Sequence, residues 1–115
     1  MIVKKMLVGG LIASFSLGVF AGNGSGLVER VITQSTEDGG RVFFSVGTLN
    51  NPPSCHNTAT TDFALDITTA LGRSQYAQVL TAQASGQTLS VTGTDDCSVW
   101  PDREAVNFMF VSTPQ

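Results

Sequence analysis

Lysine is missing from all but the first five residues of this chain, and charged side chains of every kind are scarce. Charged residues make up 13% of the 115 residues, and both lysines lie at positions 4 and 5. Beyond residue 21 there are four arginines and nine acidic residues, a net charge of −5. Affinity for nucleic acid and for anionic membrane surfaces comes largely from clustered basic side chains. Neither is therefore an expected partner.

The chain also lacks an apolar run long enough to span a membrane. Its longest, Met6 to Phe20, has about fifteen residues broken only by Gly and Ser, whereas a spanning helix needs roughly twenty. The two lysines precede this run, and Val19-Phe20-Ala21 offers small residues where a signal peptidase requires them. We therefore predict a secretory signal peptide over residues 1–21 and a single exported domain over 22–115, periplasmic or secreted.

Cysteine is limited to Cys55 and Cys97, and histidine to His56. An exported chain enters an oxidising compartment, so the two cysteines are expected to form a disulfide. A Cys55–His56 nucleophile would need a free thiolate and a spatially arranged base. A disulfide sulfur beside a solvated loop histidine is the favoured interpretation. We predict no catalytic residue, no metal site and no cofactor.

Alternation of apolar and polar residues with a period of two predicts five strands. The Glu37–Gly40 segment between the first two has the composition of a tight turn and predicts a hairpin. Asn23 to Gly26 is expected to be a loose amino terminus. The predicted strands are Leu27 to Ser35, Arg41 to Val46, Phe63 to Ile67, Gln87 to Thr92 and Ala105 to Ser112.

Helical spacing occurs once after the signal peptide, from Ala70 to the stop at Gly86. Tyr76, Val79 and Leu80 form an apolar stripe that we expect to pack against the sheet. The resulting order places one helix between strands three and four. A mainly β, five-stranded barrel with that layout and one disulfide is the pattern of a small OB-fold.

The loop before strand five carries the candidate ligand-binding residues. Trp100 is the only tryptophan, and its neighbours Asp102 and Arg103 have groups that can hydrogen-bond sugar hydroxyls. A loop tryptophan stacks on a sugar face or anchors a contact, and as often it caps a barrel end by packing over a disulfide. Both alternatives stay open at this stage.

Four carboxylates, Asp95, Asp96, Asp102 and Glu104, surround Cys97 and Trp100 in the same loop. Calcium sites use oxygen-rich loops, and acid/base catalysis uses paired carboxylates in a cleft. No calcium-loop spacing occurs here. These residues are expected to be solvated turn residues, with weak calcium binding and catalysis as the alternatives.

Several short motifs resemble the B subunit of subtilase cytotoxin and its small exported relatives. They are Val31-Ile32-Thr33-Gln34 in strand one, a Pro-Ser-Cys loop at 53–55, and the helix end 81–87 leading into a strand with Val91. The resemblance implies an OB-fold, a Gram-negative origin and a ring pentamer that binds cell-surface glycans and carries a toxic A subunit.

Two departures limit what this resemblance implies. The toxin's glycan-contacting serine matches Val28 in this chain, and the toxin subunit has more than one disulfide. Sialic acid recognition and toxicity therefore do not carry over.

Two functional hypotheses follow from the sequence. In the first, the chain is an exported, non-enzymatic binding module whose barrel face or end loops recognise a glycan or a protein surface. In the second, it is a structural or interaction protein of the periplasm or cell surface with no small-molecule ligand, whose sheet edge pairs with a partner or with itself.

Mass spectrometry of non-reduced, exported protein should find Cys55 and Cys97 in one disulfide-linked peptide pair. Closing that loop stabilises the fold by roughly 4 kcal/mol in the chain-entropy model. Free thiols on both residues in folded material would contradict the pairing.

Overall fold

A computed structural model describes residues 21–113. Its five strands close into one barrel in the order β1-β2-β3-β5-β4, with β3 and β5 parallel and the other neighbours antiparallel. The predicted mainly β fold, with five strands and one helix between the third and fourth, is confirmed. The elements are β1 Asn23–Gln34, β2 Arg41–Asn50, β3 Phe63–Asp66, α1 Ala70–Ser85, β4 Thr88–Gly93 and β5 Glu104–Ser112. Apart from Ala21, the predicted signal peptide lies outside the described residues.

The amino-terminal end of β1 closes the barrel, so the prediction of a loose segment there is wrong. Residues 23–26 pair with β4, from Asn23 opposite Thr92 to Gly26 opposite Leu89, while residues 23–25 and 28–34 pair with β2. A Cβ on Gly24 would lie only 2.8 Å from Val46 Cγ2, and Gly26 adopts φ +132° beside the backbone of Gly47. These glycines allow close backbone approach between neighbouring strands.

The predicted β1–β2 hairpin is confirmed, and its turn is held by side chains. The Thr36 hydroxyl accepts a 2.7 Å hydrogen bond from the Gly40 backbone, and Arg41 forms a 3.0 Å ion pair with Asp38. The Arg41 hydrogen bond lowers the pKa of Asp38 to about 2. β2 continues four residues beyond the predicted Val46, because the amino-terminal part of β1 gives it a partner there.

The core fills the barrel interior with side chains from β2, β3, β4, β5 and the helix, and Val28 and Val31 of β1 pack against it partly buried. The Phe44 and Phe63 rings stack with centroids 5.5 Å apart at its centre. Burial of such apolar surface is the dominant favourable term in folding. The core members are Val42, Phe44, Val46, Phe63, Leu65, Val79, Ala82, Leu89, Val91 and Met109.

Helix α1 begins at an N-cap and ends at a left-handed glycine. The Thr69 hydroxyl accepts a 2.9 Å hydrogen bond from the Gly72 backbone, and Gly86 follows the last turn with φ 70°. At the start of the helix, a side chain on Gly72 would overlap the carbonyl of Asp66. This close approach fixes which face of the helix meets the barrel.

The predicted packing stripe of α1 is wrong in one member. Leu80 is 41% exposed, whereas Val79 is fully buried and Tyr76 packs partly buried at the edge of the core. The buried face is Gly72, Gln75, Val79 and Ala82. The small residues of this face let the helix approach closely, and Leu80 lies one residue, about 100°, around the helix from Val79.

The predicted Cys55–Cys97 disulfide is confirmed, with the two Cα atoms 6.2 Å apart. It joins the long loop between β2 and β3 to the loop between β4 and β5. Within residues 21–113, no helix combines the length and apolarity needed to cross a bilayer.

Replacing Val79 with Ala should destabilise the domain by roughly 2 kcal/mol, because it leaves a cavity where the helix meets the core. Leu80→Ala is the matched control on the exposed side, and it should cost well under about 1 kcal/mol. Denaturant unfolding of both variants measures the difference. Equal losses would contradict the observed helix orientation.

Candidate functional site

Trp100 and Arg103 lie together on the outer face of β2, over the ring of Phe43. The Trp100 and Phe43 rings are 5.1 Å apart, and the Arg103 guanidinium carbon lies 4.1 Å from the centre of the Phe43 ring. Phe43 points away from the core side of its strand and is only 3% exposed under this cover. The loop before β5 is therefore packed onto the barrel wall.

The polar groups of this cover bond mainly to one another. Arg103 donates to the Thr61 hydroxyl at 2.6 Å and to the Asp102 carboxylate at 2.8 Å. The Arg103 hydrogen bond lowers the pKa of Asp102. Arg103 is buried and Asp102 and Trp100 are half-buried. The structure thus brings the three sequence-predicted residues together, and their contact with a ligand remains a prediction.

A polar cleft of about 370 Å³ opens on the barrel wall beside β1 and β2. On one side it is bounded by the two strands, and on the other by the end of the long loop that follows β2. The Asp62 backbone N–H donates to the Phe44 carbonyl at 2.9 Å and fixes that end of the loop. The lining residues are Glu29, Arg30, Ser45, Val46, Gly47, Leu49, Ala59, Thr60 and Asp62.

A β-bulge directs Glu29 to this cleft. Val28 lies opposite Val46 and Arg30 opposite Ser45, so Glu29 is an extra residue in β1. A bulge of this kind changes the direction of the side chains around it, and bulges are common beside binding sites. It also lets Val28 and Val31 both pack against the core, three residues apart. The strict alternation predicted for β1 is interrupted here.

Two carboxylates give the cleft its electrostatic character. Burial raises the pKa of the Asp62 carboxyl, and the nearby charge of Glu29 raises it further, while His56 acts in the opposite direction. Arg30 is the one basic residue in the lining. The cleft therefore offers mainly hydrogen-bond acceptors and hydroxyl groups, which suit a ligand rich in hydroxyl or amide donors.

The carboxylates that the sequence groups around Cys97 and Trp100 do not share one site. Asp96 accepts a 2.8 Å hydrogen bond from Thr94, which lowers its pKa, and Asp102 is paired with Arg103. Glu104 is 1% exposed, so the prediction that it is a solvated turn residue is wrong. Its carboxylate lies where β1, β4 and β5 meet. Across residues 21–113, no three His, Cys, Asp or Glu side chains cluster as metal ligands.

Phe108 and Phe110 form an exposed aromatic strip on the outside of β5. Each is 53% exposed, and they lie opposite Thr92 and Ser90 of β4. The sequence did not distinguish them from Met109, because phenylalanine and methionine are equally suited to the interior. Barrel closure decides which of the alternating residues face outwards.

Comparisons of the chain with protein-family models, with curated proteins and with solved structures found no match.

Asp62→Asn should raise the melting temperature at neutral pH. A carboxyl whose pKa is raised on folding costs stability when ionised, so removing the charge is favourable above the ordinary value of 3.8. The gain should disappear below that value, where both folded and unfolded Asp62 are protonated. Thermal melts between pH 3 and pH 7 measure this difference. Glu37→Gln, at an exposed position in the β1–β2 turn, is the control.

Proposed function

We propose that this chain is an exported, non-enzymatic binding module with an OB-fold, and that it recognises a neutral glycan through the cleft beside β1 and β2. Five strands in a closed barrel with one helix between β3 and β4 support the OB-fold assignment. Proteins with this fold bind oligosaccharides as well as oligonucleotides, and the acidic charge of the chain disfavours the latter.

The observation that carries the proposal is the position of the cleft next to residue 28. The resemblance to the toxin B subunits matches their glycan-contacting serine to Val28. Here Val28 packs against the core, and its neighbours Glu29 and Arg30 line the cleft. Because of the bulge, residue 29 lines the cleft in this chain, and residue 28 packs against the core.

The chemistry of the lining favours a neutral sugar. The cleft volume falls within the roughly 300–1,000 Å³ range of small-molecule sites. Glu29 and Asp62 can accept hydrogen bonds from sugar hydroxyls, and Ser45 and Thr60 can donate as well as accept. Two carboxylates against one arginine disfavour an acidic sugar such as sialic acid.

A glycan array with oxidised, exported protein tests the proposal. Glu29→Ala should weaken binding of any neutral glycan found by about tenfold or more, because it removes a charged hydrogen-bond acceptor. Glu37→Ala is the matched control, since Glu37 is also exposed but lies in the β1–β2 turn. Equal affinity of the two variants would overturn the assignment to the cleft.

Trp100→Ala tests the other predicted contact set, which includes Asp102 and Arg103. Removing the ring that covers Phe43 should lower the melting temperature by several degrees. If glycan affinity falls while the melting temperature stays constant, Trp100 is the stacking platform and the cleft is not the main site.

The second hypothesis, an interaction protein without a small ligand, is favoured by the aromatic strip. β5 pairs with β3 only at Glu104 and Ala105, so among the described residues the rest of that edge has no strand partner. Phe108 and Phe110 are exposed on the same strand. A free edge and exposed aromatic rings are features of protein interfaces.

Sedimentation of the wild type and of Phe108→Ser/Phe110→Ser separates the two hypotheses. A wild-type oligomer that the double variant dissociates, together with an empty glycan array, would support the interaction protein. A pentamer that still binds glycan would instead support the arrangement implied by the toxin resemblance.

A further inference from the structure

The Glu104 carboxylate is buried at the point where the barrel closes. It accepts hydrogen bonds from the backbone nitrogens of Gly22, at 3.0 Å, and Asp95, at 2.7 Å, both through Oε2. Glu104 is 1% exposed, and its Oε1 atom is buried without a hydrogen-bond donor among the described residues. A buried carboxylate normally has its oxygen atoms paired.

Neither neighbouring glycine has room for a side chain. A Cβ on Gly22 would overlap Oε1 of Glu104, and a Cβ on Gly93 would overlap the carboxyl group itself. The Gly93 N–H also donates to the Gly22 carbonyl at 2.8 Å. Gly22 is therefore held on both sides, with its nitrogen at the carboxylate and its carbonyl on the end of β4.

No arginine or histidine forms an ion pair with Glu104 within residues 21–113. Glu104 therefore lacks a countercharge in the chain as it stands with the Ala21–Gly22 bond intact. An unpaired buried charge is strongly unfavourable, because it has lost its hydration without gaining a partner. The position of Gly22 suggests where the missing charge comes from.

We propose that cleavage of the Ala21–Gly22 bond creates the partner of Glu104, and that the new α-ammonium group of Gly22 forms a buried ion pair with its carboxylate. Hydrolysis adds one water across the peptide bond, leaving a carboxylate on Ala21 and a protonated amine on Gly22. The ammonium carries three protons where the amide carried one. It can therefore satisfy the unpaired Oε1 as well as Oε2.

This inference gives Glu104 a role as the receptor for the processed amino terminus. Because Gly22 is buried in the folded domain, the cleavage has to precede closure of the barrel. Processing during export would meet that condition. The inference rests on the predicted cleavage position and is independent of the ligand.

The composition of the chain makes the amine directly measurable. With both lysines at positions 4 and 5, the protein processed at Gly22 has one amine, its α-amino group. Mass spectrometry of the exported protein should first give a mature chain that begins at Gly22. The folded protein should then react with an acetylating N-hydroxysuccinimide ester roughly tenfold or more slowly than the unfolded protein, because an ion-paired ammonium retains its proton.

Two variants isolate the ion pair. A serine inserted between Ala21 and Gly22 moves the exported amine one residue, about 3.8 Å, away from the carboxylate. Glu104→Gln keeps the shape and hydrogen bonding of the side chain and removes its charge. Both should restore rapid acetylation, and the insertion should lower the melting temperature by roughly 10 °C in the wild type.

Combining the serine insertion with Glu104→Gln tests whether the ion pair exists. In the Glu104→Gln background the insertion should have little further effect on the melting temperature, because the pair is already lost. The inference is overturned if the insertion lowers the melting temperature equally in both backgrounds, or if the wild-type amine is acetylated at the unfolded rate. A mature terminus other than Gly22 would overturn it as well. If Glu104→Gln does not fold, acetylation of the insertion variant supplies the same comparison.

Discussion

Hydrogen bonding along both edges of β1 is the constraint on which the rest of the structure depends. Its amino-terminal residues bridge β2 and β4, and without that bridge the sheet would have two open edges and an exposed interior. Closure places Gly24 and Gly26 against neighbouring strands and brings Gly22 to Glu104, and the β1–β2 pairing contains the bulge at Glu29. The cleft and the buried carboxylate are thus two consequences of how one strand is paired.

Local patterns predicted the elements of this fold but not how they meet. Two-residue alternation located the strands, and the isolated pair Cys55 and Cys97 predicted the disulfide, because each signal is contained in neighbouring residues or in a simple count. The prediction that Leu80 packs against the sheet was wrong, because the close approach at Gly72 sets the rotation of the helix about its axis. The prediction of a loose segment at 23–26 was wrong, because glycine is typical both of flexible segments and of close contacts between strands.

The candidate site was harder to predict for the same reason. Glu29, Ser45 and Asp62 come from β1, β2 and a loop, and no spacing along the chain relates them. The bulge that directs Glu29 to the cleft is a property of strand register, which a single strand does not specify. Glu104 looked like one of four similar loop carboxylates. Only the arrangement of three strand ends around it distinguishes it from Asp95 or Asp96.

Trp100, packed on Phe43, and Tyr76, on the helix, report optically on two different parts of the molecule. Trp100, the sole tryptophan, lies on the loop that carries Cys97, while Tyr76, the sole tyrosine, lies on the helix at the edge of the core. Tryptophan fluorescence therefore reports detachment of the disulfide-linked loops. The near-ultraviolet circular dichroism of the tyrosine reports undocking of the helix. Because proteins open in local units as well as globally, the two signals can separate movement of the loops from loss of the core.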